Sequence, residues 1–214
     1  MGFLIYDIFM TIEVLSQFHF DERLREQGID DTNVEDTTMA FISIIGTPEC
    51  LTYYLDEGKT KHYFKDHDNV LNLDFDDIST DVIYNGHRFK TMTMEQAEKA
   101  VDFIDKILDE GLTTYIMVHC RAGMSRSRAF GEFIYRRCLE KGDTPNYPDR
   151  NDYTTMLNQG VLRRLEHAYK KKHRLDMYEQ EGINYPEDLI NPEPTVINRG
   201  GERYAWELNE EDND

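Results

Sequence analysis

Residues 115–127 read YIMVHCRAGMSRS. An apolar run, Tyr115 to Val118, leads directly into His119 and Cys120, and a short polar segment containing Gly123 follows. From Ala129 the apolar residues return at helical spacing, at Phe130, Phe133, Ile134 and Cys138, stopping near Gly142. A strand, a tight loop and an amphipathic helix in direct succession form one βα unit. Gly123 supplies the backbone freedom that a tight loop requires. Such a loop can curl with its N–H groups inward while the helix adds its positive N-terminal end. The result is an anion cradle built from Arg121, Ala122, Gly123, Met124, Ser125 and Arg126. Arg126 can clasp two oxygens of a phosphate through its planar fork. Cys120 falls at the floor of the cradle, where the donors that hold an anion also favour the thiolate. A thiolate facing a bound phosphate is a nucleophile in position.

Working upstream, Thr93 and Gln96 make a capping-box pattern before a helix. Ala97, Ala100, Val101, Ile104, Ile107 and Leu108 mark its apolar face, and Gly111 ends it. Met39 to Ile45 (MAFISII) is a buried-strand pattern closed by Gly46 and Pro48. Val70 to Phe75 alternates like a strand and ends in Asp76 and Asp77. Residues 3 to 9 read as a short apolar strand, with Thr11 capping a helix through about Phe18. Asp21 to Asp36 is charged and poorly periodic, which predicts a surface excursion. Tyr53, Tyr54, Tyr63 and Phe64 lie among charges with no clean period. Downstream, a last helix carries Val161, Leu165, Ala168 and Tyr169, with basic residues in its final turns. Strands alternating with helices predict an α/β fold: a central, mostly parallel, twisted sheet with helices on both faces.

That domain is expected over residues 1–175. Residues 176–214 hold Pro186, Pro192 and Pro194 and end in ELNEEDND, which predicts an extended acidic tail with Tyr204 and Trp206 pinning one stretch and a disordered last eight residues.

The chain has 214 residues, 39% hydrophobic and 12% aromatic, enough to bury one substantial core. Its 24 Lys and Arg against 42 Asp and Glu give a formal net charge of −18. That excess repels phosphate backbones and anionic membrane surfaces, so neither nucleic acid nor membrane is an expected partner. Three cysteines, Cys50, Cys120 and Cys138, make no disulfide framework, and the expected setting is reducing and cytoplasmic. Asp7 and Glu13 interrupt the apolar N-terminal stretch, and no basic residue precedes it, so it does not read as a signal sequence. Tyr6 stands where a myristoylation signal takes Ser or Thr.

Cys120 alone would be a small buried hydrophobe, and Arg126 alone a surface charge. Their combination carries the chemistry. No Gly-Lys-Ser/Thr follows Gly123, so the loop is not a nucleotide-binding P-loop. His119 and Cys120 are adjacent and have no partner pair at ligand spacing, which excludes a zinc site on sequence grounds.

HCRAGMSRS resembles the signature of the cysteine-dependent protein tyrosine phosphatase superfamily, and its Ala-Gly-x-Ser-Arg-Ser form is similar to the dual-specificity branch. Three further stretches support the likeness. LNLDFDD (71–77) ends a strand as the family's general-acid loop does. VDFIDKIL (101–108) resembles its helix before the signature strand. LNQGVL (157–162) resembles its Pro-Asn-x-Gly-Phe-Leu motif, with Leu157 in place of the proline and Val161 in place of the phenylalanine. The likeness covers roughly residues 38 to 172.

The resemblance implies a phosphoprotein phosphatase with no metal and no cofactor. Cys120 attacks phosphorus, Arg126 and the loop hold the equatorial oxygens, and Ser127 donates to the sulfur as it leaves. His119 and Asn158 orient the loop. The expected general acid is Asp77, with Asp76 next and Asp81 third. Forty-two residues separate Asp77 from Cys120, and the stretch TDVIYNGHRFKTMT (80–93) is expected to be an enlarged loop over the site. The implied substrate is a protein bearing phosphotyrosine, with phosphoserine and phosphothreonine open. The rival readings are a non-catalytic phosphate-binding pseudophosphatase, and an enzyme of the same chemistry acting on a phosphoinositide or an RNA 5′-triphosphate. A rhodanese-like or arsenate-reducing enzyme would leave LNLDFDD and LNQGVL without a role. Oligomeric state is not legible.

Overall fold

A computed structural model describes residues 10–53, 61–111, 113–148, 150, 156–173 and 195–197. Its centre is a sheet of four strands, β1 (Thr11–Ser16), β2 (Met39–Ile45), β3 (Val70–Asp74) and β6 (Tyr115–Cys120), in the order β1-β6-β2-β3 and parallel throughout. The sequence of β6 alternates between two cores. Ile116, Val118 and Cys120 join the larger one with α3 (Met94–Glu110), α4 (Arg126–Glu140) and α5 (Gln159–His173); Met117 faces the smaller one. Neighbouring β2 divides in the same way, with Ala40, Ile42 and Ile44 opposed to Phe41. Period-two alternation between two buried faces is what a parallel sheet covered on both sides demands. The predicted α/β architecture is the one observed.

The smaller core is closed by α1 (Gln17–Gln27), and here two expectations fail. Thr11 caps no helix: Thr11–Ser16 is β1, with Ile12 and Val14 buried against the larger core. The helix begins one strand later, at Ser16, whose hydroxyl accepts from the His19 N–H. Of the stretch expected to be a charged excursion, Val34–Asp36 is a short 3-10 turn and Asp21 to Gln27 belong to α1. Its only buried side chains are Phe20 and Leu24, spaced i and i+4. Each contributes roughly 1.5–3 kcal/mol by burial, against propensity differences of a few tenths per residue. Two anchors suffice to hold a helix that is otherwise charged.

The segment with no clean period contains a short helix, α2 (Pro48–Tyr53), and then Tyr63 and Phe64, which pack with Phe20 and Phe41 in the smaller core. The expected enlarged loop at 80–93 is instead a hairpin, β4 (Val82–Tyr84) and β5 (His87–Phe89), turned by Asn85 and Gly86 with positive φ at both. Val82, Tyr84 and Phe89 form a third small core with Ile78, so the insertion is a packed element. Thr195–Ile197 forms β7, paired in parallel with β4. The expectations for residues 3–9, Tyr54, Tyr204, Trp206 and the last eight residues lie outside the described residues. Among the described residues no helix is long and apolar enough to cross a membrane.

Candidate active site

The site forms where β6 ends between β1 and β2. Cys120 is the last residue of β6, 1% exposed, with its Sγ 3.1 Å from the Ser127 hydroxyl in the first turn of α4. The intervening loop is held from outside through its carbonyls. Arg121 O accepts from Gln17 N, Gly123 O from Arg128 Nε, and Ser125 O from Asn158 N. Carbonyls turned outward leave the loop amides, with those opening α4, for the concave side. Gly123 has φ +74°, and a Cβ there would lie 2.5 Å from Ser16 N and 2.6 Å from the Leu15 carbonyl carbon. The loop can pack this closely on β1 only through a glycine.

Arg126 is 5% exposed. Its Nη1 donates to the carbonyls of Phe75 and Ile45, at 2.6 and 3.1 Å, which tie it to the ends of β3 and β2. Its Nε is buried with no hydrogen-bond partner among the described residues. A desolvated guanidinium donor without a partner is costly unless an anion supplies one. Met124 and Arg121 lie exposed on the rim, and Ala122 beside them.

The three aspartates that sequence reasoning offered as acids have different surroundings. Asp76 is 2% exposed and accepts from Thr47 N, Thr47 Oγ and Lys90 N, so it ties the loop after β2 to the loop after β5. Asp81 accepts from Thr91 N and pairs with Arg88 at 3.2 Å. Asp77 has a half-open side chain beside the cradle. Its Oδ1 accepts from the Ser125 hydroxyl at 2.6 Å and from Asn158 Nδ2 at 2.9 Å, and its Oδ2 lies 4.0 Å from Arg126 Nε. Asn158 stands immediately before α5, its Oδ1 accepting from Val161 N as a capping residue does. One residue thus joins the helix start, the loop after β6 and Asp77.

His119 points to the opposite face from Cys120, fully buried under the Phe20 ring at 4.2 Å between centroids. Burial, and secondarily neighbouring His62, push it down to about 3 against a smaller upward pull from the Cys120 main chain, so it is neutral at physiological pH. Its Nε2 lies 2.8 Å from the Ser43 hydroxyl, which is 2.7 Å from His62 Nδ1; His62 Nε2 is 2.8 Å from Asp74. Sequence reasoning singled out none of these last three. Ser43, a lone hydroxyl within MAFISII, was the available signal. Cys50, in α2, is pushed up to about 12 by burial and then by Asp76.

No protein-family model matches the chain, and no curated protein matches it. Among solved structures it is similar to the human tyrosine phosphatase-like serine/threonine/tyrosine-interacting protein, at 20% identity and a TM-score of 0.39, covering 71% of this chain and 83% of that one. It is also similar to PTPMT1 in complex with PI(5)P, at 13% identity and a TM-score of 0.34, covering 77% of this chain and 93% of that one. A second PTPMT1 structure gives 16% and 0.35, covering 79% and 97%. At this distance the chemistry rests on the side chains themselves.

Proposed function

We propose that the chain is a cysteine-dependent phosphatase that hydrolyses phosphomonoesters on proteins, phosphotyrosine first, through a phosphocysteine intermediate. The observation that carries the reading is the set formed by Cys120 Sγ 3.1 Å from Ser127 Oγ, a buried unpartnered Nε on Arg126, and Asp77 4.0 Å from that Nε. Cys120, as thiolate, attacks phosphorus, and the bond to the leaving oxygen breaks. Asp77 protonates that oxygen. Oδ1 of Asp77 is occupied by Ser125 and Asn158, so Oδ2 carries the proton. Arg126 and the amides from Arg121 to Arg126 hold the three equatorial oxygens as charge redistributes. In the second step Asp77, now a base, takes a proton from water as the water oxygen bonds to phosphorus; the P–S bond breaks, inorganic phosphate leaves, and Ser127 donates to the departing sulfur. His119 and Asn158 position the loop from either side. The test is hydrolysis of para-nitrophenyl phosphate by the purified chain in the presence of a metal chelator. Turnover that Cys120→Ser abolishes supports the reading; no turnover, or turnover that survives Cys120→Ser, refutes it.

A further inference from the structure

Behind the cradle, on the face of the sheet away from Cys120, four side chains form one continuous hydrogen-bonded chain: His119, Ser43, His62 and Asp74. It runs from a ring that is fully buried to a carboxylate that is half exposed. Ser43 and His119 are register partners on β2 and β6, so the sheet itself sets their contact. At its inner end, His119 Nδ1 is buried with no hydrogen-bond partner among the described residues, and the polar group acting on the ring from its own strand is the Cys120 main chain.

Donor and acceptor bookkeeping permits few arrangements. An ionised Asp74 only accepts, so His62 Nε2 donates to it. When His62 is neutral its Nδ1 must accept from the Ser43 hydroxyl. The Ser43 oxygen then accepts from His119 Nε2–H, and His119 Nδ1 is bare. When His62 is protonated its Nδ1 donates to Ser43, whose hydroxyl turns to donate to His119 Nε2; the His119 proton then sits on Nδ1. One proton is gained overall. The positive charge rests on His62 beside Asp74, and His119 stays neutral in both states, as its burial requires.

We propose that Asp74, His62 and Ser43 are positioning residues for Cys120: they set which nitrogen of His119 carries its proton, and protonation of His62 moves that proton to Nδ1, toward the Cys120 main chain. The value of this for turnover rests on the phosphatase reading above; the proton transfer itself does not. Among the described residues, several elements bring groups to His62 and its hydrogen-bonded chain. β3 brings Asp74, β6 brings His119, β2 brings Ser43, and α1 brings the Phe20 ring against His119. Tyr63, next in sequence, turns its hydroxyl to the Gln17 carbonyl, Lys65 pairs with Asp31, and Arg126 of α4 acts only weakly on His119. Lys61, on the other side of His62, is exposed.

The experiment is imidazole ¹⁵N NMR on the full chain, with His119 assigned, as pH is taken through the His62 titration. The expected result is an exchange of the bare and protonated signals between Nδ1 and Nε2 of His119. Asp74→Asn keeps an acceptor but removes the charge, so the exchange should move to lower pH. Ser43→Ala should leave His62 titrating with His119 unresponsive, and should lower kcat on para-nitrophenyl phosphate about tenfold with KM within twofold. Ser43→Thr, which keeps the hydroxyl, should restore both and guards against a folding defect. A His119 that keeps one tautomer while His62 titrates overturns the proposal, as does an exchange that persists in Ser43→Ala. An exchange that Ser43→Ala abolishes without any change in kcat overturns the positioning role. Full activity in Cys120→Ser would defeat the phosphatase reading alone, since the NMR exchange needs no turnover.

Discussion

Asp76 and Asp77 are adjacent in sequence and opposite in role: Asp76 gives its carboxylate to Thr47 and Lys90, while Asp77 turns to Ser125, Asn158 and Arg126. They lie just past β3, where the chain leaves the sheet, and their side chains turn to different partners. A one-residue slip at this point would exchange the two carboxylates.

Asp77→Asn should therefore lower kcat on alkyl phosphates or phosphotyrosine by about 100-fold or more, and much less on an activated aryl ester, whose leaving oxygen needs no proton. Asp76→Asn should instead cost about 1–3 kcal/mol of folding stability, read as a lower urea midpoint, because it sets a new N–H₂ against buried donors. A leaving-group-dependent loss in Asp76→Asn would move the acid by one residue.

Cysteine reactivity offers a second check. Burial, reinforced by an aspartate in each case, pushes Cys50 up to about 12 and Cys138 up to about 11. Raised values mean that both stay thiols below pH 10 and react appreciably only as the pH approaches those values. Iodoacetate at pH 7, followed by peptide mapping, should label Cys120 first, and phosphate should protect it. First labelling at Cys50 would place the reactive sulfur outside the cradle.

Arg126→Lys retains the charge but loses both the fork and the ties to Phe75 O and Ile45 O. The expected loss in kcat/KM is about 100-fold or more, or ~2.7 kcal/mol of transition-state binding. A variant within twofold of the parent would show that Arg126 does not hold the phosphate.

Gly123 and Gly142 both have positive φ, +74° and +87°, but a Cβ at Gly142 meets nothing within 4 Å. Alanine at Gly142 should cost only the left-handed strain, about 1 kcal/mol. Alanine at Gly123 should cost more, since backbone on β1 must move, and should also remove activity. Denaturant midpoints of the two variants side by side measure the difference.

His119 is held down to about 3, well below the ordinary histidine value of 6.5, chiefly by burial. Between those two values the unfolded chain binds a proton that the folded one refuses, so stability falls as pH is lowered through that window. The slope is up to ~1.4 kcal/mol per pH unit from this group. Urea midpoints at pH 7 and pH 5 should therefore converge in His119→Gln relative to the parent. An unchanged difference would show that His119 takes up its proton within the fold.

Residues 115–142 could be read directly because everything that shapes them is contiguous: an apolar strand, a glycine at the tight turn, and apolar residues returning at helical spacing. The Thr93–Gln96 capping box and Gly111 bounded α3 for the same reason. The errors fell where a local pattern competes with a distant partner. TIEVLS carries a strand's alternation, yet it becomes a strand because β6 offers a parallel neighbour. The charged stretch after it becomes α1 because Phe20 meets Phe41, Phe64 and His119. Asn85-Gly86 between alternating residues is a local hairpin signal, and the hairpin it turns packs on Ile78.

Within the site, sequence alone was enough to bring Cys120, Arg126 and Ser127 together, since six or seven residues of loop and helix leave them little freedom. Which aspartate faces Arg126 was decided by the register at the end of β3 and by Asn158, 81 residues further on. The chain from Asp74 to His119 joins three strands and a loop, and its contacts exist only after the sheet has formed. Local chain geometry determines the cradle; the assembly of distant strands determines what stands over it and behind it, because hydrogen-bond partners far apart in sequence carry no mark of one another until packing brings them within 3 Å.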